Sequence, residues 1–285
     1  MGQLRDQMEA DLKIGGYSPS TQKIYLLYAR HFAAHFMRSP AEMGADDVRR
    51  FLLHLVQDKQ ASRETIRQVR SSLRFLYTVT LNRPVEIEWL PVPRKQKRLP
   101  VVLSGTEVAA LLDAVRAPKY RMIITVMYAA GLRISEACTL QSEDIDSKRK
   151  VIRIRGKGDK ERCTLLSERL LYELRDYWRQ TRPEGGWLFP GGTRDGHAAK
   201  ETARKVFHKA ARAAGITKDV TPHVLRHSFA THLIDAGTDV TVVQALLGHA
   251  SLRATEVYTH TSVEQIARTK SPLDLLGTPA GAILG

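Results

Sequence analysis

This chain is short of cysteine, of long apolar runs and, relative to its basic residues, of acid. Only Cys138 and Cys163 occur in 285 residues, and they lack the paired spacing of a metal site. Two lone thiols build no disulfide framework, so they read as free cysteines of a reducing compartment. No apolar run approaches the length of a membrane span, and the charged start MGQLRDQMEADLK has no secretory apolar stretch. No basic amphipathic anchor or lipidation motif is visible either. The expectation is a cytoplasmic protein with no membrane partner. Acid is short as well: 30 Asp and Glu stand against 44 Lys and Arg, a net charge of +14. No low-complexity basic tail holds this excess, so it is spread over sequence that reads as folded. A polyanion, nucleic acid first, is the natural partner.

What is there suits two domains: 285 residues with 43% hydrophobic content can bury two cores. Ser18 and Pro19 signal a helix start, followed by Ile24, Leu27, Tyr28, Phe32 and Phe36 at helical spacing. A second helix is expected from near Asp46, with Val48, Phe51, Leu52 and Leu55 inward. A third is expected from Ser62 to about Val79, with Ile66, Val69, Leu73 and Leu76 inward. Its other stripe, Arg63, Arg67, Arg70 and Arg74, lies about 120° around the helix; it is either a solvated face or a row of phosphate contacts. Residues 1–84 form this helical domain. Residues 85–100 are a linker extended by prolines, and Arg94, Lys95, Lys97 and Arg98 crowd its second half. Residues 101–285 form the second domain.

That domain opens with the capping box Ser104–Glu107 before Val108, Leu111, Leu112 and Val115. Residues 120–130 read as a buried helix stopped by Gly131. Strands at 151–155 and 162–166 flank Gly156-Lys157-Gly158-Asp159 and predict a hairpin. Helices are expected over 167–180, 198–213, 222–235, 240–247 and 252–265. The fold class is mainly α with a small β-hairpin. Helix 198–213 carries Lys200, Arg204, His208 and Arg212 at four-residue steps, a candidate row for lying along DNA.

The chemistry concentrates in a few positions. Breaking a phosphodiester builds negative charge on the non-bridging oxygens. Planar guanidinium neutralises it well without a metal. The leaving oxygen needs a proton and the nucleophile must lose one. Arg133 follows the Gly131 stop in AAGLRISEACTL, with Ser135 as the expected N-cap and Glu136 as its brace or as an ordinary first-turn acid. His223 and Arg226 share a helix face near an N-terminus that favours anions. His249 follows Gly248, a helix stop. Tyr258 is a weak nucleophile unless a cationic pocket stabilises its anion.

Four strings carry a resemblance. AGLRISEACTL, RGKGDKER, HVLRHSFATHL and LLGHASLRATEVYTH stand in the order of the boxes of the tyrosine recombinase (phage integrase) family, and the chain resembles its simple Xer-type members in particular. The resemblance implies a two-domain, C-shaped DNA clamp: a SAM-like core-binding domain followed by a catalytic domain. Tyr258 would be the nucleophile, forming a 3′-phosphotyrosyl bond and freeing a 5′-hydroxyl. Arg133 and Arg226 would clamp the scissile phosphate, Lys157 would protonate the departing 5′-oxygen, His223 would assist proton transfer, and His249 would hold a phosphate oxygen. It implies no metal, cofactor or ATP. The implied partner is double-stranded DNA with inverted-repeat core sites. It is bound by a homotetramer, or by a heterotetramer with a second recombinase, working through a four-way junction. Neither the arm-binding domain of larger phage integrases nor the helical insertion of integron integrases is expected here. The tail Ser271-Pro-Leu-Asp-Leu-Leu276 departs from Xer endings; Leu273, Leu275 and Leu276 would either dock on a neighbouring protomer or pack in cis.

Two other readings share these features: a non-cleaving DNA-binding or architectural protein, and a type IB topoisomerase-like enzyme. A pure binder has no use for Tyr258 beside a cationic pocket, and the boxes match recombinases more closely. If phosphate contact dominates, affinity for DNA falls steeply as salt rises. Fluorescence anisotropy across a salt series checks this, and a flat response would remove the electrostatic reading.

Overall fold

The structure is a computed structural model that describes residues 2–83, 101–155, 161–192, 196–248 and 269–276. The chain divides into two compact units, residues 1–98 and 99–285. Among the described residues no helix is long and apolar enough to cross a membrane.

The first unit is helical. α1 (Gly2–Ile14) precedes the helix that the sequence announces, α2 (Pro19–Phe36), whose N-cap Ser18 accepts the Thr21 N–H at 3.4 Å. α1 escapes notice because its charged residues mask a sparse stripe of Leu4, Met8 and Leu12; Met8 and Leu12 are buried. α3 (Ala45–Gln57) and α4 (Arg63–Phe75) complete the unit, and α4 widens into a π turn over Leu76–Thr80. Phe32 is the pivot of the core: its ring meets Phe51 at 5.4 Å and Tyr77 at 6.3 Å, both edge-on. The Tyr77 hydroxyl donates to Pro40 O at 3.0 Å, so a buried phenol keeps its hydrogen bond.

The second unit is built around one apolar helix. α5 (Gly105–Asp113) begins with the expected capping box: the Ser104 N–H donates to Glu107 Oε2 at 2.7 Å, and the Glu107 N–H donates back to Ser104 Oγ at 3.2 Å. α6 (Pro118–Ala129) is buried without interruption from Met122 to Ala129. Gly131 then turns the chain with φ +65°. α7 (Ile134–Cys138) follows, then β1 (Ile145–Asp146), β2 (Val151–Arg155) and β3 (Glu161–Leu165). The hairpin appears as expected, and β1 extends it to a three-stranded antiparallel sheet in the order β1-β2-β3. A two-residue strand has too little pattern to be read from sequence. α8 (Glu168–Thr181), α9 (Lys200–Ala213), α10 (His223–Asp235) and α11 (Val240–Leu247) follow at the expected places. The helix expected over 252–265 lies outside the described residues.

Among the described residues, two cores serve this unit. The large one surrounds α6; a smaller one joins Val151 and Leu165 of the sheet to Phe229, Leu233, Val243, Leu246 and Leu247 of α10 and α11. α12 (Pro272–Leu275) packs in cis. Leu273 is buried in the large core and Leu276 packs against it. Arg169 Nη1 donates to Leu273 O and Leu276 O, both at 2.6 Å, and the Ser167 hydroxyl donates to Asp274 Oδ1 at 2.8 Å. Of the three leucines offered for docking, Leu273 and Leu276 are thus committed to their own subunit; the side chain of Leu275 lies outside the described part.

Gly131 combines positive φ with a close approach: an added Cβ would stand 2.6 Å from the buried Phe229 ring. Gly131→Ala is expected to lose about 2–4 kcal/mol from left-handed strain and overpacking together, measured as a drop in urea unfolding midpoint at unchanged slope.

Candidate active site

The end of α6 leaves three carbonyls in the protein interior that the helix itself cannot satisfy. Each is taken by a different element. The Ser271 hydroxyl donates to Ala129 O at 2.8 Å, the Thr164 hydroxyl to Ala130 O at 2.7 Å, and Arg226 Nη1 to Gly131 O at 2.7 Å. Arg226 Nη2 also donates to Leu247 O. The guanidinium of α10 is therefore 6% exposed and held by carbonyls, which satisfy donors without cancelling charge.

Arg133 lies two residues beyond Gly131, at the N-cap of α7. This corrects the expectation for Ser135, which sits inside the helix. Leu132 closes the turn early by donating its N–H to Met127 O at 3.1 Å, so the helical backbone begins at Ile134. Glu136, three residues on, does the capping: its Oε2 accepts the Arg133 N–H at 2.8 Å and its Oε1 accepts from Arg133 Nη1 at 2.7 Å. Glu136 is thus a brace for Arg133 as well as a first-turn acid.

Sequence reading missed a third arginine, Arg162 of β3. Its Nη1 and Nη2 fork onto Glu136 Oε1 and Oε2 at 2.9 and 2.8 Å, and its Nε donates to Leu246 O at 3.2 Å. A signal was present. Ile152 and Ile154 mark the buried face of β2, and their register partners on β3 are Thr164 and Arg162. Directly paired residues share a face, so an arginine here requires a buried acid. The contacts close a ring: Arg133 to Glu136, Glu136 to Arg162, Arg162 and Arg226 to the adjacent carbonyls of Leu246 and Leu247, and Arg226 back to Gly131. Among the described residues, the ring joins three guanidiniums and one carboxylate.

His223 stands one turn before Arg226 on α10 and is exposed. Its pKa is lowered, first by desolvation, then by the charges of His227, Arg226 and Arg133, against a smaller pull from Glu136. These influences favour the neutral imidazole, the form that can accept a proton. Burial raises the Glu136 carboxyl, but hydrogen bonding and charge from Arg162, then from Arg133, overcome it and bring it down to about 2. Among the described residues no group of three or more His, Cys, Asp or Glu could hold a metal ion.

Lys157, His249 and Tyr258 lie outside the described residues, as do Arg94, Lys95, Lys97 and Arg98. The structure thus brings together Arg133, His223, Arg226 and Glu136 of the expected set. Of the expected DNA-contact rows, Arg63, Arg67 and Arg74 are exposed on α4 and Arg70 is half-buried; Arg67 lies 3.9 Å from Glu64. On α9, Lys200, Arg204 and Arg212 are exposed opposite buried Ala203, Phe207, Ala210 and Ala211, and Arg204 pairs with Glu201 at 2.8 Å.

Folding makes Glu136 a stronger acid than it is in the unfolded chain. The stability this supplies is present above its ordinary value near 4.5 and is lost as pH falls toward about 2. Its size is on the order of 3 kcal/mol. Glu136→Gln is expected to flatten the pH dependence of unfolding free energy between pH 6 and 2, as read by denaturant titrations at each pH.

Comparison with known proteins gives the same boxes a context. Residues 102–265 match the phage integrase family, and residues 4–87 match the phage integrase N-terminal SAM-like domain. The Sinorhizobium fredii protein y4qK, an integrase/recombinase by name, is 43% identical over 98% of this chain and 91% of its own length. Tyrosine recombinase XerA of Thermococcus kodakarensis is 32% identical over 95% of each chain. In fold, the chain is similar to the XerH site-specific recombinase, with a TM-score of 0.67 at 23% identity over 90% of this chain and 82% of that one. The chain belongs to the phage integrase family and is a tyrosine-type site-specific recombinase.

Proposed function

We propose that the protein cuts and rejoins double-stranded DNA at inverted-repeat core sites through a 3′-phosphotyrosyl intermediate, as a tetramer working through a four-way junction. The observation that carries this reading is the ring of contacts at the end of α6, which fixes Arg133 and Arg226, with His223 one turn before Arg226 and within their electrostatic reach. That is an anion site suited to a phosphate whose charge grows during reaction. The XerH structure, solved bound to its difH substrate before cleavage, supports DNA as the partner.

In the proposed step the Tyr258 oxygen attacks the scissile phosphorus. A bond forms between phosphorus and the tyrosine oxygen, and the bond to the 5′-oxygen breaks. The phenol proton passes to a base, with neutral His223 suited to accept it, and Lys157 protonates the departing 5′-oxygen. Arg133, Arg226 and His249 bear on the non-bridging oxygens. Because the phosphodiester becomes another phosphodiester, the reverse attack by a 5′-hydroxyl rejoins DNA without ATP. The exposed rows on α4 and α9, with the basic cluster at 94–98, would run along phosphates.

The test traps the intermediate. Wild-type protein and Tyr258→Phe are incubated, without metal or ATP, with nicked DNA fragments from the source genome, and the DNA in detergent-stable adducts is sequenced. Wild type is expected to give adducts at one recurrent inverted-repeat sequence. Tyr258→Phe is expected to give none while binding that sequence within about twofold of wild type, since loss of a nucleophile spares ground-state contacts. An adduct with the variant would remove Tyr258 from its role.

A further inference from the structure

Glu136 lies between two guanidiniums that are not equivalent. Arg162 meets it as a fork on both oxygens, and the two side chains are each only 10% exposed. Arg133 gives its side chain to one oxygen and is 39% exposed, on the outer side of the pair. Arg162 is itself fixed from behind. Its Nε donates to Leu246 O, and Gly248, at φ +63°, packs so closely that a Cβ there would stand 2.6 Å from Arg162 Cδ. A carboxylate this buried and 2.7 Å from Arg133 Nη1 would by itself cancel much of that arginine's charge.

We propose that Arg162 is a positioning residue of the recombination site: by setting its positive charge against the Glu136 carboxylate, it leaves Arg133 braced but still positively charged toward the scissile phosphate. This rests on the reading of Arg133 as a phosphate clamp. Glu136 alone would orient Arg133 at the expense of its charge; Glu136 with Arg162 orients it and leaves the charge in place. The order of influences on Glu136 agrees, since Arg162 outranks Arg133 in holding the carboxylate ionised. Arg162 touches no reacting atom in this scheme; what it supplies is positive charge against the Glu136 carboxylate.

A double-mutant cycle tests it. Full-length wild type, Arg162→Gln, Glu136→Gln and the double variant are compared for the rate of covalent adduct formation. The substrate, at saturation, is a nicked duplex carrying the sequence recovered from wild-type adducts. Thermal melting is followed alongside. Arg162→Gln is expected to slow adduct formation about tenfold or more, with DNA affinity within about twofold. Adding Glu136→Gln is expected to restore most of the rate, because no carboxylate remains to neutralise Arg133. A residue that only supports the fold gives a double variant as slow as the single one, or slower. That result, or a wild-type rate for Arg162→Gln, overturns the proposal. Should Arg162→Gln melt far below wild type, Arg162→Lys carries the test. It keeps the charge without the fork and is expected to retain most of the rate; a loss as deep as that of Arg162→Gln is again decisive against it. A wild-type rate for Arg133→Gln would instead remove the clamp reading itself, a separate and distinguishable failure.

Discussion

Three consecutive carbonyls at the end of α6 govern the arrangement of the second unit. A helix cannot satisfy its last carbonyls, and burial denies them water, so each must find a donor elsewhere. Ser271, Thr164 and Arg226 provide those donors from the chain's last described segment, from β3 and from α10. Elements distant in sequence are thereby pinned to one point. The polarity is also right, because the C-terminal end of a helix carries partial negative charge and favours a cation. Gly131 makes the corner possible: its positive φ turns the carbonyl toward Arg226, and its missing Cβ leaves room for the Phe229 ring.

The same corner explains how positive charge is kept in a poorly solvated place. Arg226 donates to two carbonyl oxygens, which satisfy guanidinium donors in the interior. Arg133 is held by a true counter-ion, but one that Arg162 shares. The two arginines are thus fixed by different means, one through backbone carbonyls and the other through a carboxylate it shares. Holding charges of one sign together is electrostatically costly, and the ring of hydrogen bonds running from Gly131 through Leu246 and Leu247 offsets that repulsion.

The two units differ in how they hold together. The first relies on aromatic packing around Phe32, with its basic row on the face of α4 away from that core. The second couples its larger core to a polar ring, and its smaller core, under α10 and α11, sits directly beneath the carbonyls that Arg162 and Arg226 hold. Loosening Leu246 or Leu247 would therefore disturb both arginines at once, so packing and site chemistry meet at the end of α11.

Much of this was legible in the chain. Capping chemistry and period placed α2 through α11 and the hairpin, because Ser18, Ser104 and Gly131 act through neighbours a few residues away. Residue type and order alone singled out Arg133, His223 and Arg226. The sparse stripe of α1, the two-residue β1 and the cap at Arg133 rather than Ser135 depended on contacts from outside their own segments. Only tertiary structure decided that Arg162 belongs to the site, and that Leu273 and Leu276 are spent in cis. The physical reason is one of range. Hydrogen bonds between neighbours and side-chain period are written into a short window of sequence. The partner of a buried charge, and the donor for a helix's last carbonyl, are supplied by whichever distant element packs there.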